Sequence, residues 1–155
     1  MADTQEFDRI IDALPTLLNN LQLSPAIKRE DLSPVPERGI YVFYEDGKPI
    51  YVGRSRHLRS RLLEHSRTSS MHNAATFAFI LAKERAVDRK LTFSSMKRES
   101  LQHDPVFSKL YTEAKERVAK MKVRVVQVEK PVEQTIFEVY AALELHTPYN
   151  NFDNH

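Results

Sequence analysis

Phe7, Ile10, Ile11, Leu14, Leu18 and Leu21 recur every three or four positions, the period of one helix face, so residues 3–22 are expected to be helical. Pro15 falls inside that stretch and predicts a kink or a break. Pro25, Pro34 and Pro36 then mark residues 23–38 as a connecting segment. The pattern changes at Gly39. Gly39-Ile40-Tyr41-Val42-Phe43-Tyr44 and Pro49-Ile50-Tyr51-Val52-Gly53 are rich in β-branched and aromatic residues, and Asp46-Gly47 lies between them. This predicts a β-hairpin over 39–54, with Pro49 at an edge or strand entry.

Helical spacing returns at 56–66, where Leu58 and Leu62 share a face. A further helix is expected from about Asn73, a plausible N-cap, carrying Phe77 and Leu81. Residues 86–102 are polar and show no clear period. Asp104-Pro105 is a cap followed by a first-turn proline, and Phe107, Leu110, Tyr111, Ala114 and Val118 continue at helical spacing to about Lys120. Residues 122–129 alternate as a strand does, and Pro131 ends them. Residues 132–146 predict a last helix that is apolar on most sides and therefore expected to be buried.

At 155 residues, with 41% hydrophobic and 28% charged positions, the chain has the composition of one globular domain with a real core. It has no cysteine, so disulfides and thiolate zinc sites are excluded. No apolar run approaches the ~18–20 residues of a membrane span. The acidic N-terminus lacks the layout of a signal peptide, so a cytoplasmic protein without a membrane partner is expected. A net charge of +2 says little, but Arg54, Arg56, Arg59 and Arg61 fall within eight residues. Such a cluster suits phosphate contacts, although a solvated helix face has the same composition.

Three groups of residues carry the rest of the candidate chemistry. Tyr41 and Tyr51 sit on the two strands of the hairpin close to Gly39 and Gly53, where pairing could bring their phenols together. Amphipathic aromatics on a sheet face are the commoner use of tyrosine. His57, Arg61 and His65 follow at i, i+4 and i+8, and so are expected on one helix face. There a guanidinium could hold a phosphate oxygen and a histidine could move a proton near neutral pH. Glu138 stands among Ile136, Phe137, Val139, Tyr140, Ala141, Ala142 and Leu143, and a carboxylate in such a setting needs a cation, a donor or the surface. A divalent metal would serve, as would one of the arginines.

Together these residues resemble the GIY-YIG nucleases. The resemblance rests on Gly39-Ile40-Tyr41, on Tyr51-Val52-Gly53 ten residues after Tyr41, and on the run from Arg54 to Leu62. It extends to Glu138 and to Asn150 twelve residues later within Pro148-Tyr149-Asn150. It covers roughly 39–65 and 122–152. Residues 66–121 would then be a helical insertion and 1–38 an N-terminal extension. Valine replaces isoleucine in the second motif, Arg54 stands where lysine is frequent, and His57 where asparagine is common.

The resemblance implies an α+β fold: a small, three-stranded, mainly antiparallel sheet flanked by helices. It implies an endonuclease that hydrolyses phosphodiester bonds in DNA, with RNA left open, using one Mg²⁺ or Mn²⁺ ion held by Glu138. Tyr41 or Tyr51 would orient the attacking water or act as general base. An ordinary phenol titrates near ~10, so neighbouring cations would have to activate it. Arg61 would neutralise developing charge, and His65 and Asn150 would complete the catalytic set. Arg54, Arg56, His57 and Arg59 would contact the nucleic acid. Two alternatives keep the fold and drop the chemistry: a non-cutting nucleic-acid-binding module, or a scaffold protein that uses the helical insertion.

Overall fold

The computed structural model describes residues 4–32, 34–67, 69–71, 74–93, 95 and 97–152. It is a mixed α and β fold, as expected. The chain divides into two compact units, one formed by Met1–Arg59 with Lys122–His155 and the other by Ser60–Met121.

In the first unit, helix α1 (Thr4–Leu23) is followed by a two-residue strand β1 (Ile27–Lys28) and a short 3-10 turn at Arg29–Asp31. Strands β2 (Gly39–Glu45) and β3 (Lys48–Ser55) form the expected hairpin, and β4 (Lys122–Gln127) and α6 (Pro131–Leu145) close the unit. The strand order is β1-β4-β2-β3, every pair antiparallel. Among the described residues the sheet therefore has four strands where three were expected. The addition is β1, too short for any periodicity to reveal. Asp46 and Gly47 both take positive φ, 52° and 77°, the requirement of a tight hairpin turn that matches strand twist.

Pairing register decides which side chains share a face. Tyr41 lies opposite Gly53 and Val125, and Phe43 opposite Tyr51 and Val123. One face thus carries Tyr41, Phe43, Tyr51 and Gly53. The alternate residues Ile40, Val42 and Val52 join Ile10, Leu14 and Leu21 of α1, Val128, and Phe137, Ala141 and Ala142 of α6 in one core. Pro15 lies within α1 without ending it, on the exposed side of the helix.

Helix α6 departs from its expected burial. Gln134, Phe137, Ala141 and Ala142 are buried, whereas Val132, Val139 and Leu143 are exposed, Leu143 at 65%. The helix lies on the sheet beside α1, so only one stripe of its surface is covered. Buried Gln134 donates from Nε2 to the Val128 carbonyl at 2.7 Å, while its buried Oε1 has no hydrogen-bond partner among the described residues.

The second unit holds most of α2 (Leu58–Glu64), with α3 (Thr76–Asp88), α4 (Arg98–His103) and α5 (Pro105–Ala119). Helix α2 is shorter than the 56–66 expected, but Leu58 and Leu62 are both buried. The proposed cap Asn73 lies outside the described residues; α3 begins at Thr76 with no side-chain cap. At α5 the sequence reading holds: the Asp104 carboxylate accepts from the backbone N–H groups of Val106 and Phe107 at 2.9 and 3.1 Å, and Pro105 occupies the first turn. Phe79 packs its ring against Phe107 and Tyr111, at centroid distances of 5.0 and 5.6 Å.

Candidate active site

Strand β3 is the outer strand of the sheet, so one of its edges pairs with no other strand of the described residues. Asn150 lies along that edge. Its Nδ2 donates to the Val52 carbonyl and its Oδ1 accepts from the Val52 N–H, both at 2.8 Å. The same Oδ1 accepts from Thr147 Oγ1 at 2.8 Å, and the Tyr149 N–H donates to the Ile50 carbonyl at 3.3 Å. One side-chain amide thus does what a neighbouring strand would do, and holds the backbone between Tyr51 and Gly53. Asn150 is a positioning residue in this arrangement. Thr147, which sequence reasoning missed, anchors it from three residues upstream.

Tyr41 reaches this edge because position 53 has no side chain. A Cβ at Gly53 would fall on the Cζ and Oη atoms of the Tyr41 ring, so the phenol end of Tyr41 lies over Gly53. Tyr41 is 1% exposed and meets Phe43 edge to face at 5.7 Å. Tyr51, half-buried, is opposite Phe43 and so is the diagonal neighbour of Tyr41 on the same face. The spacing of the two motifs does place both tyrosines on one face of the sheet.

Glu138 and Arg54 belong to the other side of the sheet. Arg54 is opposite Ile40, on the face covered by α1 and α6. Its Nε lies 4.0 Å from Glu138 Oε1. By strand parity Arg54, next to Gly53, lies on the sheet face opposite Tyr41 and Tyr51, and Glu138 of α6, which packs against β3, meets it there. Burial pushes the Glu138 carboxyl above the usual carboxylate range, and the Arg54 charge only partly opposes that shift. At 22% side-chain exposure and 4.0 Å from its cation, Glu138 is a desolvated carboxylate with weak compensation.

Arg61 and His65 lie in the second unit. The Arg61 guanidinium ties α2 to the entry of α3: Nη1 donates to the Ala74 carbonyl at 2.6 Å and to Glu64 Oε2 at 3.3 Å, and Nη2 to Thr76 Oγ1 at 2.9 Å. His65 is fully buried, and burial together with the Arg61 charge pushes its pKa down to about 3. It is neutral at physiological pH, so the expected proton donor near neutrality is a buried, uncharged ring. Nor do His57, Arg61 and His65 share a helix face. Helix α2 starts after His57, whose side chain is 76% exposed with Nδ1 3.7 Å from Glu37 Oε1. Of the remaining cations, Arg56 is exposed, and Arg59 is exposed and donates to the Leu32 carbonyl at 2.9 Å.

No family model, curated protein or solved structure matches this chain.

Among the described residues, no three His, Asp, Glu or Cys side chains gather as a metal cage would require. A Mg²⁺ ion asks for less, since it commonly takes one or two protein carboxylates and keeps waters or phosphate oxygens. A half-buried, poorly compensated carboxylate such as Glu138 fits that demand.

Proposed function

We propose that this chain is a metal-dependent endonuclease of the GIY-YIG type, cutting phosphodiester bonds in nucleic acid at the outer edge of β3. The observation that carries the reading is Gly53. A position without a side chain, between the two tyrosine motifs, admits the phenol end of Tyr41 to the edge strand. The turn, the register and the Asn150 brace set Tyr51 and Gly53 beside it.

On this reading Glu138 would hold one Mg²⁺ or Mn²⁺ ion, which would supply Lewis-acid stabilisation of charge on the phosphate and on the departing 3′ oxygen. Everything else belongs to the chain. Water attacks phosphorus in line, and the bond to the 3′ oxygen breaks. Tyr51, more open to solvent than Tyr41, is the better placed of the two to orient that water or take its proton. Arg54 adds positive charge beside Glu138. Arg56, His57 and Arg59 meet the sugar-phosphate backbone. Arg61 keeps its charge while bracing the second unit.

A second reading is favoured by a specific observation. Arg61 is committed to Ala74, Thr76 and Glu64, and His65 is buried and neutral, which suits a fold that binds nucleic acid without cutting it. End-labelled flap, junction, single-stranded and duplex DNA, with RNA counterparts, separate the two. Cleavage of one or more of these only when Mg²⁺ or Mn²⁺ is added supports the nuclease. Retention of substrate without cleavage under any divalent condition supports the binding module.

A further inference from the structure

Charge is divided unequally between the two units. Residues 60–121 carry twelve Lys and Arg against seven Asp and Glu, a net of +5, whereas the rest of the chain has eleven against fourteen, a net of −3. The overall +2 therefore conceals a basic helical unit and an acidic sheet unit. Within the helical unit, contacts advance together along two helices. Phe79 of α3 meets Phe107 and Tyr111 of α5. Further along, Leu81 and Arg85 of α3 share a cavity of about 140 Å³ with Leu110, Glu113, Ala114 and Arg117 of α5. The C-terminal ends of both helices therefore lie at one end of this unit.

That end collects cations. Arg85, Arg89 and Lys90 are exposed at the end of α3, and Arg117 and Lys120 stand at the end of α5. Basic side chains in a last helical turn complement the helix dipole, which accounts for Arg85 and Arg117. It does not account for Lys90. This residue follows the C-cap Arg89 with φ 56°, its N–H bonded to the Val87 carbonyl, while the Leu91 N–H bonds to Ala86. This is the left-handed position that closes a helix, where glycine is favoured and lysine is locally costly. Glu84, Asp88, Glu113 and Glu116 lie on the same helices and offset part of the charge.

We propose that the cationic end of the helical unit, formed by Arg85, Arg89, Lys90, Arg117 and Lys120, grips the phosphodiester backbone of nucleic acid without reading sequence. Arg85 and Arg117 of the cavity lining hold a phosphate group against the opposing charge of Glu113, and Leu81, Leu110 and Ala114 give the same cavity its apolar lining. The inference rests on the reading of this chain as a protein that acts on nucleic acid. It adds where the substrate is held: on the insertion, by residues other than the arginine run at 54–61.

The test is a salt titration of binding by the full chain carrying Glu138→Ala, using fluorescent duplex DNA, single-stranded DNA and an RNA hairpin. Each cation that releases a counterion contributes about 0.9 to the slope of log affinity against log salt on duplex DNA. The double variant Arg85→Glu/Arg89→Glu is expected to lower that slope by about 1.8. The control Arg9→Glu/Lys48→Glu, with equal charge change in the other unit, leaves it nearly unchanged. Lys90→Gly is expected to raise Tm, by relieving the left-handed lysine, while weakening binding. A merely structural lysine would do only the first. Equal slopes for the Arg85/Arg89 variant and its parent overturn the proposal, as does competition by polyglutamate as effective as by unlabelled DNA. If the unsubstituted chain cleaves DNA while the Arg85/Arg89 variant binds normally, this inference alone fails. If the folded chain binds no nucleic acid even at low salt, the functional reading fails with it.

Discussion

Glu138 carries the sharpest consequence at the scale of single residues. Burial raises its folded-state pKa above the unfolded value, so within the window between the two the folded chain binds more protons than the unfolded chain. Stability therefore falls as pH rises through the window above the ordinary glutamate range. Glu138→Gln removes that burden. The variant is expected to have a higher Tm than the parent at pH 7 and no cleavage activity. Mg²⁺ should raise the Tm of the parent but not of the variant. An unchanged or lower Tm with cleavage intact would mark Glu138 as a surface ion-pair partner of Arg54.

His65 runs the other way. Its folded pKa of about 3 is below the unfolded value of about 6.5, so its contribution is complete above pH 6.5 and is lost progressively down to pH 3. Between pH 6.5 and 5 this amounts to roughly 2 kcal/mol. Urea unfolding across that range should show the loss in the parent and a flatter profile in His65→Leu, which has no ring to protonate. A parent as stable at pH 5 as at pH 6.5 would contradict the burial argument.

At the scale of elements, α5 offers the cleanest test of local encoding. Two backbone donors at its start depend on the Asp104 carboxylate. Asp104→Ala should cost about 1 kcal/mol in urea unfolding, with the m-value unchanged. A loss under a few tenths would mean that the flanking packing alone fixes the helix start. The cap was legible because Asp-Pro before a helical period is a strong local signal. The hairpin was legible for the same reason, since Asp46-Gly47 names its own turn.

What escaped was set by tertiary context. Strand β1 spans two residues and exists because it pairs with β4. The exposed side of α6 could not be read from composition, because a helix with apolar residues all round does not say which neighbours will cover it. His57 fell off the face expected for α2 because that helix begins one residue later. Leu58 marks that start, where its N–H meets the Glu37 carbonyl at 2.9 Å.

For the whole molecule, the sequence motifs specify side chains that the fold distributes over three places. Tyr41 and Tyr51 share one sheet face, Arg54 and Glu138 the other, and Arg61 and His65 belong to the helical unit. Spacing alone conveyed the hairpin partners correctly, because register follows from turn length. It could not convey sheet parity between β3 and α6, or the internal bonds that claim Arg61. The charge division between units was likewise present in the sequence but invisible until the units were known.

The central claim is that Glu138 serves a divalent ion in phosphodiester cleavage. It is tested most directly by nicking of supercoiled DNA, with Mg²⁺ or Mn²⁺, by the parent and by Glu138→Ala matched for folding by circular dichroism. The parent is expected to nick only with added metal, and the variant to lose that nicking by at least about a hundredfold, the usual scale for losing such electrostatic stabilisation. Nicking by folded Glu138→Ala at the parent's rate would contradict it.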